Sequence, residues 1–327
     1  MLKRFAVEVI TMDTANPIYA PSKAFFGMRR PGALAFGAMA MLLLNGCTME
    51  LFSPQGIIGQ QEKSLIIIAL VLMLMVVIPV IVLTLYFAWR YRDTNPKATY
   101  APKWARSTRI EVVVWGIPCV IVASLGILIW NTTHKLDPYR PIQSNVAPVE
   151  VEVVALNWKW LFIYPQYGVA SLNQLAIPVD TPIDFKVTAE SIMNSFFIPQ
   201  LGSQVYAMAG MQTRLHLIAN APGVYLGQSA VYSGSGFSDM HFKTVATSRE
   251  VFDNWVREAK QSARPLDEKT YHMLERPSSR DAVTLYSSVA PALFANVVDK
   301  YMHGAGQICR TDSPETVRAP HAMAMER

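Results

Sequence analysis

The sequence predicts a two-span helical hairpin, then an all-β sandwich, then a short helical C-terminal extension. Three observations predict it. Leu65 to Trp89 and Val112 to Trp130 are uncharged runs of 25 and 19 residues, each long enough to reach across a bilayer. Beyond Pro138 and Pro141 the apolar period becomes two, strictly so in Val149-Glu150-Val151-Glu152-Val153. From Arg249 to Ala263 it returns to helical spacing, with Val251, Phe252, Trp255 and Val256 on one face.

Composition agrees. The 327 residues are 51% hydrophobic with a net charge of +5, and the apolar residues are concentrated rather than spread. Three cysteines, Cys47, Cys119 and Cys309, stand too far apart for a metal motif and do not form a disulfide framework. No nucleic-acid motif and no Gly-rich phosphate loop is present, so nucleic acid is not an expected partner.

Residues 1–46 are expected to be an extension and a signal. Met28-Arg29-Arg30 is a basic start, Ala33 to Leu44 an apolar run too short to span, and Leu44-Asn45-Gly46-Cys47 an end that resembles a bacterial lipobox. That resemblance implies cleavage before Cys47 and its acylation, by palmitate or a similar chain; a chance cysteine is the plain alternative. Residues 1–27 carry Glu8 and Asp13 ahead of the signal, so translation is expected to start at Met28.

Residues 47–131 form the anchor and hairpin, with spans at about 65–89 and 110–130. Pro79 and Pro118 are kink sites. The connector holds Arg90, Arg92, Lys97, Lys103, Arg106 and Arg109 against the single acid Asp93, which places it in the cytoplasm. Both ends of the hairpin then face the outside of a bacterial inner membrane, as a lipid on Cys47 also requires. Residues 132–247 read as an antiparallel periplasmic sandwich. Its candidate strands are Val149–Val153, Leu175–Val179, Ile183–Thr188, Ser195–Ile198, Thr213–Ala219, Val224–Ala230 and Phe242–Thr247. Residues 248–303 form the helical extension, with further short helices at Tyr271–Leu274 and Val289–Met302. Residues 304–327, polar and aperiodic, are expected to be a disordered tail.

The chemistry is carried by Gly227 to Met240, Gly-Gln-Ser-Ala-Val-Tyr-Ser-Gly-Ser-Gly-Phe-Ser-Asp-Met. By itself Ser-Gly-Ser-Gly is also a polar turn. With Pro222-Gly223 ahead of it and Asn194-Ser195-Phe196 upstream, the stretch resembles the copper loop of the haem-copper oxidase subunit II family, whose pattern is Cys-x-Glu-x-Cys-x3-His-x2-Met with a second His upstream. The matching positions here are Ser229, Val231, Ser233, Phe237 and Met240, and Asn194 upstream; only the methionine is kept. Hydroxyls, an amide and apolar side chains are poor partners for copper. Met240-His241 makes no residual site, because a strand points successive side chains apart. His216 is expected on the polar face of its strand.

The resemblance, over about residues 55–260, implies a cupredoxin-like Greek-key fold. Loss of the ligands implies the quinol-oxidising branch, the cytochrome bo-type ubiquinol oxidases. In that reading the chain holds no cofactor. Haem, copper and the quinol site reside in subunit I, with subunits III and IV, membrane lipids and ubiquinol as further partners. Trp158, in the aromatic segment Trp158 to Tyr164, matches the residue where copper-bearing relatives receive electrons; without copper its expected role is packing. Glu111, seven residues before Pro118, matches a carboxylate that in the family lies at the mouth of a proton channel; a helix-start acid favoured by the macrodipole is the plain alternative. Two other readings stay open: a cytochrome c oxidase subunit II, opposed by the missing ligands, and a membrane-tethered scaffold lipoprotein.

Overall fold

The computed structural model describes residues 50–308 apart from 100, 102, 103 and 105. The signal, Cys47, Lys103 and residues 309–327 lie outside the described residues.

Helix α1 spans Ile57–Arg90 and helix α2 Thr108–Lys135, each with its proline inside. Both run beyond the uncharged spans. α1 begins at Ile57 because Ile57 to Ser64, helix-compatible and polar from Gln60 on, form about two turns that do not need to enter lipid. Thr84, Ser124 and Thr132 return their hydroxyls to carbonyls four residues back, at 2.7, 2.9 and 2.7 Å, so these three hydroxyl hydrogens are matched within the helices.

The first turns of α1 are stapled to the sandwich. Gly59 N–H donates to the Leu201 carbonyl at 3.0 Å and Gln55 N–H to the Gln200 carbonyl at 2.7 Å. Glu62 accepts from the Ser203 N–H at 2.9 Å and its hydroxyl at 2.8 Å. Small residues permit the approach: a Cβ on Gly56 would lie 2.5 Å from the Ile218 carbonyl oxygen, and one on Gly202 2.7 Å from Gly59 N.

Among the described residues eleven strands make two sheets. In chain order they are β1 Val149–Leu156, β2 Lys159–Tyr164, β3 Val169–Leu172, β4 Gln174–Pro178, β5 Ile183–Ala189, β6 Asn194–Ile198, β7 Gly202–Ala207, β8 Thr213–Leu217, β9 Gly223–Ser229, β10 His241–Thr247 and β11 Thr284–Tyr286. One sheet runs β11-β3-β2-β1-β5-β8, the other β4-β10-β9-β6-β7. The antiparallel expectation needs correction: β1 pairs in parallel with β5, and β4 with β10. Alternation in a sequence tells which face a side chain takes but not which strand lies beside it.

Trp160, Phe162, Phe196 and Phe242 fill the space between the sheets, with Phe196 and Phe242 stacked at 5.3 Å. On the other face of β1 and β2, Val154, Leu156, Leu161 and Ile163 are also buried, under Leu266, Tyr271, Leu293 and Phe294 of the extension. That second cover explains why β2 reads as a continuous apolar run instead of alternating. The extension comprises α3 Arg249–Gln261, α4 Glu268–Leu274 and α5 Leu293–Ile308. It is more tightly joined to the sandwich than separate ranges suggest, because β11 completes a sheet edge against β3. The helix expected at Val289–Met302 starts four residues later and continues through Ile308, past the Gly304 at which the tail was expected to begin.

Candidate functional site

Asn194 opens β6 and Ser229 closes β9, on adjacent strands in which Phe196 pairs with Ser229. The loop from Ser229 to Met240 folds back over them. Asn194, Ser229, Ser233 and Met240 are buried together at one end of the sandwich. Their polar atoms find partners within the protein. The Ser229 hydroxyl lies 3.2 Å from both Asn194 Oδ1 and the Val231 carbonyl, and accepts from the Ser195 N–H at 3.3 Å. Asn194 Nδ2 donates to the Ile192 carbonyl at 3.0 Å, and Ser233 Oγ lies 3.9 Å from the Met240 sulfur.

Val231 and Phe237 are not buried with them. Both are half-exposed; Phe237 sits edge-on to Tyr232 at 5.6 Å, and Tyr232 is 75% exposed. The apolar replacements thus form the rim of the loop, while the polar ones form its floor. Copper does not fit this set: hydroxyl and amide oxygens already hydrogen-bonded, with one thioether, lack the thiolates and imidazoles a soft site needs. Among the described residues no three His, Cys, Asp or Glu side chains converge. Met240 is buried and His241 exposed, so the two point apart as the strand geometry requires.

Trp158 holds the loop from inside. Its backbone is left-handed (φ 64°), and its indole N–H donates to the Ser233 carbonyl at 2.9 Å. The indole lies flat on Gly236, where a Cβ would come within 2.4 Å of the ring. The Ser-Gly-Ser-Gly glycines therefore admit an aromatic ring against bare backbone. Trp158 is thus packed between the loop and the core.

Sequence reasoning missed a strap formed by residues 275–281. Asn157 Nδ2 donates to the Glu275 carbonyl at 3.0 Å, and the buried Lys159 ammonium to the Arg276 carbonyl at 3.1 Å and to the Ser278 hydroxyl. Asp281 stands 3.6 Å from that ammonium. Burial lowers the Lys159 pKa, and Asp281 only partly restores it. Arg280 then reaches the loop itself, pairing with Asp239 at 3.1 Å. The strap is fastened in turn by Glu190, buried, which accepts from the Tyr271 hydroxyl and pairs with Lys300; Lys300 also meets Glu275 at 3.1 Å. The Asn157–Glu275, Lys159–Ser278 and Tyr271–Glu190 contacts link residues 81 to 119 positions apart, which no local pattern announces. The one available signal was a lysine between two tryptophans, Trp158-Lys159-Trp160.

His216 is on the polar side of β8, as expected, yet it is buried. The linker covers it: Nδ1 lies 3.0 Å from the Pro138 carbonyl and Nε2 3.3 Å from Asp184. Glu111 is half-exposed in the first turn of α2, 3.6 Å from Arg106. At ~1.5 Å per residue it sits roughly 36 Å along the helix from Lys135, at the end remote from the sandwich.

Fold and loop define a class: a two-span membrane hairpin carrying a cupredoxin-like domain whose copper-loop positions hold no copper ligand set. The comparisons specify it. The family described as "Cytochrome C oxidase subunit II, periplasmic domain" matches residues 166–247, and "COX Aromatic Rich Motif" matches residues 260–305. The chain is 56% identical over 262 residues to "Cytochrome bo(3) ubiquinol oxidase subunit 2" of Pseudomonas aeruginosa, covering 80% of this chain and 79% of that one. It is 53% identical to "Ubiquinol oxidase subunit 2" of Acetobacter aceti (82% and 88% covered) and 35% identical to "Quinol oxidase subunit 2" of Bacillus cereus (76% and 86%). Among solved structures, the periplasmic domain of cytochrome oxidase subunit II of Bradyrhizobium japonicum aligns at 20% identity and a TM-score of 0.35, covering 37% of this chain and 98% of that one. The chain belongs to the ubiquinol oxidase subunit 2 family.

Proposed function

We propose that the chain is the subunit II of a proton-pumping bo-type ubiquinol oxidase, and that no electron passes through it. Ubiquinol oxidation and dioxygen reduction to water are then the work of haem and copper in subunit I. This chain contributes the spans, the docked outer domain and the strap-braced loop. The observation that supports the reading most is the Asn194–Ser229 floor: at the positions where an electron-accepting relative would hold metal, the polar atoms are spent on one another. Subunits III and IV complete the assembly. The hairpin connector faces the cytoplasm and the sandwich the periplasm, with Cys47 acylated at the outer leaflet.

Glu111 serves proton uptake in this proposal. Its support is its place at the membrane end remote from the sandwich, half-exposed, with Arg106 3.6 Å away. Glu111→Ala is expected to slow turnover of the assembled oxidase and to change its pH profile; turnover unchanged at every pH would remove the role. Cys47→Ala is expected to abolish incorporation of labelled fatty acid. Copurification with haem-bearing subunits separates the oxidase reading from the scaffold reading, since a scaffold would purify without them.

A further inference from the structure

At their sandwich-side ends α1 and α2 do not close on each other. A cavity of about 490 Å³ lies between them. On α1 its wall is a single helical stripe, with Gln60, Gln61 and Ser64 on the rim and Leu65 and Ile68 deeper. On α2 Leu128 faces the deeper part, while Thr132 and Lys135 face the rim. The wall thus changes from amide and ammonium groups to aliphatic ones over Gln60 to Ile68, roughly 12 Å along the helix at ~1.5 Å per residue.

Ser64 and Thr132 spend their hydroxyls on their own helices, but the cation and the amides at the rim are uncommitted. Among the described residues Lys135 enters no ion pair, and the side-chain amides of Gln60 and Gln61 enter no hydrogen bond. The nearby acid on α1, Glu62, is turned to the opposite side and held by Ser203. The shape of the groove is also fixed from behind. Gly56, Gly59 and Glu62 pin one face of α1 to the sandwich, which leaves the Gln60–Gln61–Ser64 face directed at α2. A rigid groove with a free cation and free amides above an aliphatic slot matches one kind of ligand found at this depth.

We propose that this groove binds a phospholipid of the leaflet beneath the sandwich. The Lys135 ammonium takes the phosphodiester, the Gln60 and Gln61 amides donate to the ester carbonyls, and an acyl chain runs down Leu65, Ile68 and Leu128. The inference uses the two spans and their order along the chain, and stands whether or not the loop conducts electrons.

The test uses the whole oxidase extracted from its native membrane in mild detergent, with bound phospholipid counted by mass spectrometry of the intact complex. Lys135→Glu is expected to lose one phospholipid per complex, with haem spectrum and subunit content unchanged. Gln61→Trp, which fills the groove and leaves the charge, is expected to lose the same one. An unchanged count in both variants would overturn the proposal. A photocrosslinking residue at Ser64 decides the occupant: capture of a phospholipid supports the site, whereas capture of the chain's own N-terminal acyl group or of a neighbouring subunit overturns it.

Discussion

The hairpin and the sandwich treat apolar residues in opposite ways. In the sandwich they face inward from two sheets, and β2 is buried along its whole length. In α1 only Gly59 is buried, in α2 none is, and Leu85, Val112 and Trp115 are each about two-thirds exposed or more. One region is finished by its own contacts; the other is finished by lipid or another subunit. Glu62 and the small residues of the junction join the two, so the outer domain is held to α1 at its first turns and not only by a tether.

Substitutions in the two regions should differ most at the centre of each. Phe242→Ala removes a ring packed on Trp160, Phe162 and Phe196 and should destabilise the sandwich by about 3–5 kcal/mol. Leu85→Ala should leave the sandwich within about 0.5 kcal/mol of the parent. Hydrogen exchange of sandwich peptides in the purified complex measures both, and equal effects would remove the contrast. The junction should respond next. Gly202→Val places a side chain against Gly59 at a residue with φ 109°, and overpacking of this kind costs about 1–3 kcal/mol. Its mark would be faster exchange at residues 55–62 together with 198–203, which a tether without close packing would not show.

The strap offers a finer contrast inside the sandwich. Lys159→Met keeps the apolar stem but leaves the Arg276 carbonyl and Asp281 short of a donor, at a cost of about 1–3 kcal/mol. Protease cleavage at 275–281 should rise, followed by cleavage in the loop through the Arg280–Asp239 pair. Cleavage confined to the strap would show that the loop stands alone. The smallest effect is the pH response of Glu275. Burial alone would raise its pKa, but the His272 and Lys300 contacts outweigh burial and hold it below the ordinary 4.5. A depressed carboxylate contributes stability above its unfolded pKa and loses it as pH falls through the folded one. Exchange in the strap should therefore rise on acidification below about 4.5, and Glu275→Gln should flatten that rise.

What the sequence disclosed follows from how local each feature is. The spans were legible because lipid demands an unbroken uncharged run, and the loop because residue types at Asn194, Ser229, Ser233 and Phe237 state what cannot be ligated. The ends of the spans were not: Gln60 to Lys63 continue α1 for reasons of docking, which composition does not show. Parallel pairing of β1 with β5 was hidden because alternation leaves neighbours undefined. The strap was hidden because Lys159 and Asp281 meet only in the folded chain. Val231 and Phe237 illustrate a different limit, since an apolar substitution does not reveal whether the position is floor or rim.

If electrons bypass this chain, its copper-loop positions hold no metal and its oxidase takes electrons from quinol. Metal analysis and electron paramagnetic resonance of the purified oxidase, combined with oxygen uptake driven by ubiquinol or by reduced cytochrome c, test it in one preparation. The expected result is uptake with ubiquinol alone and no dinuclear copper signal from subunit II. A dinuclear copper signal that disappears on substitution in residues 229–240, with uptake driven by cytochrome c, would contradict it.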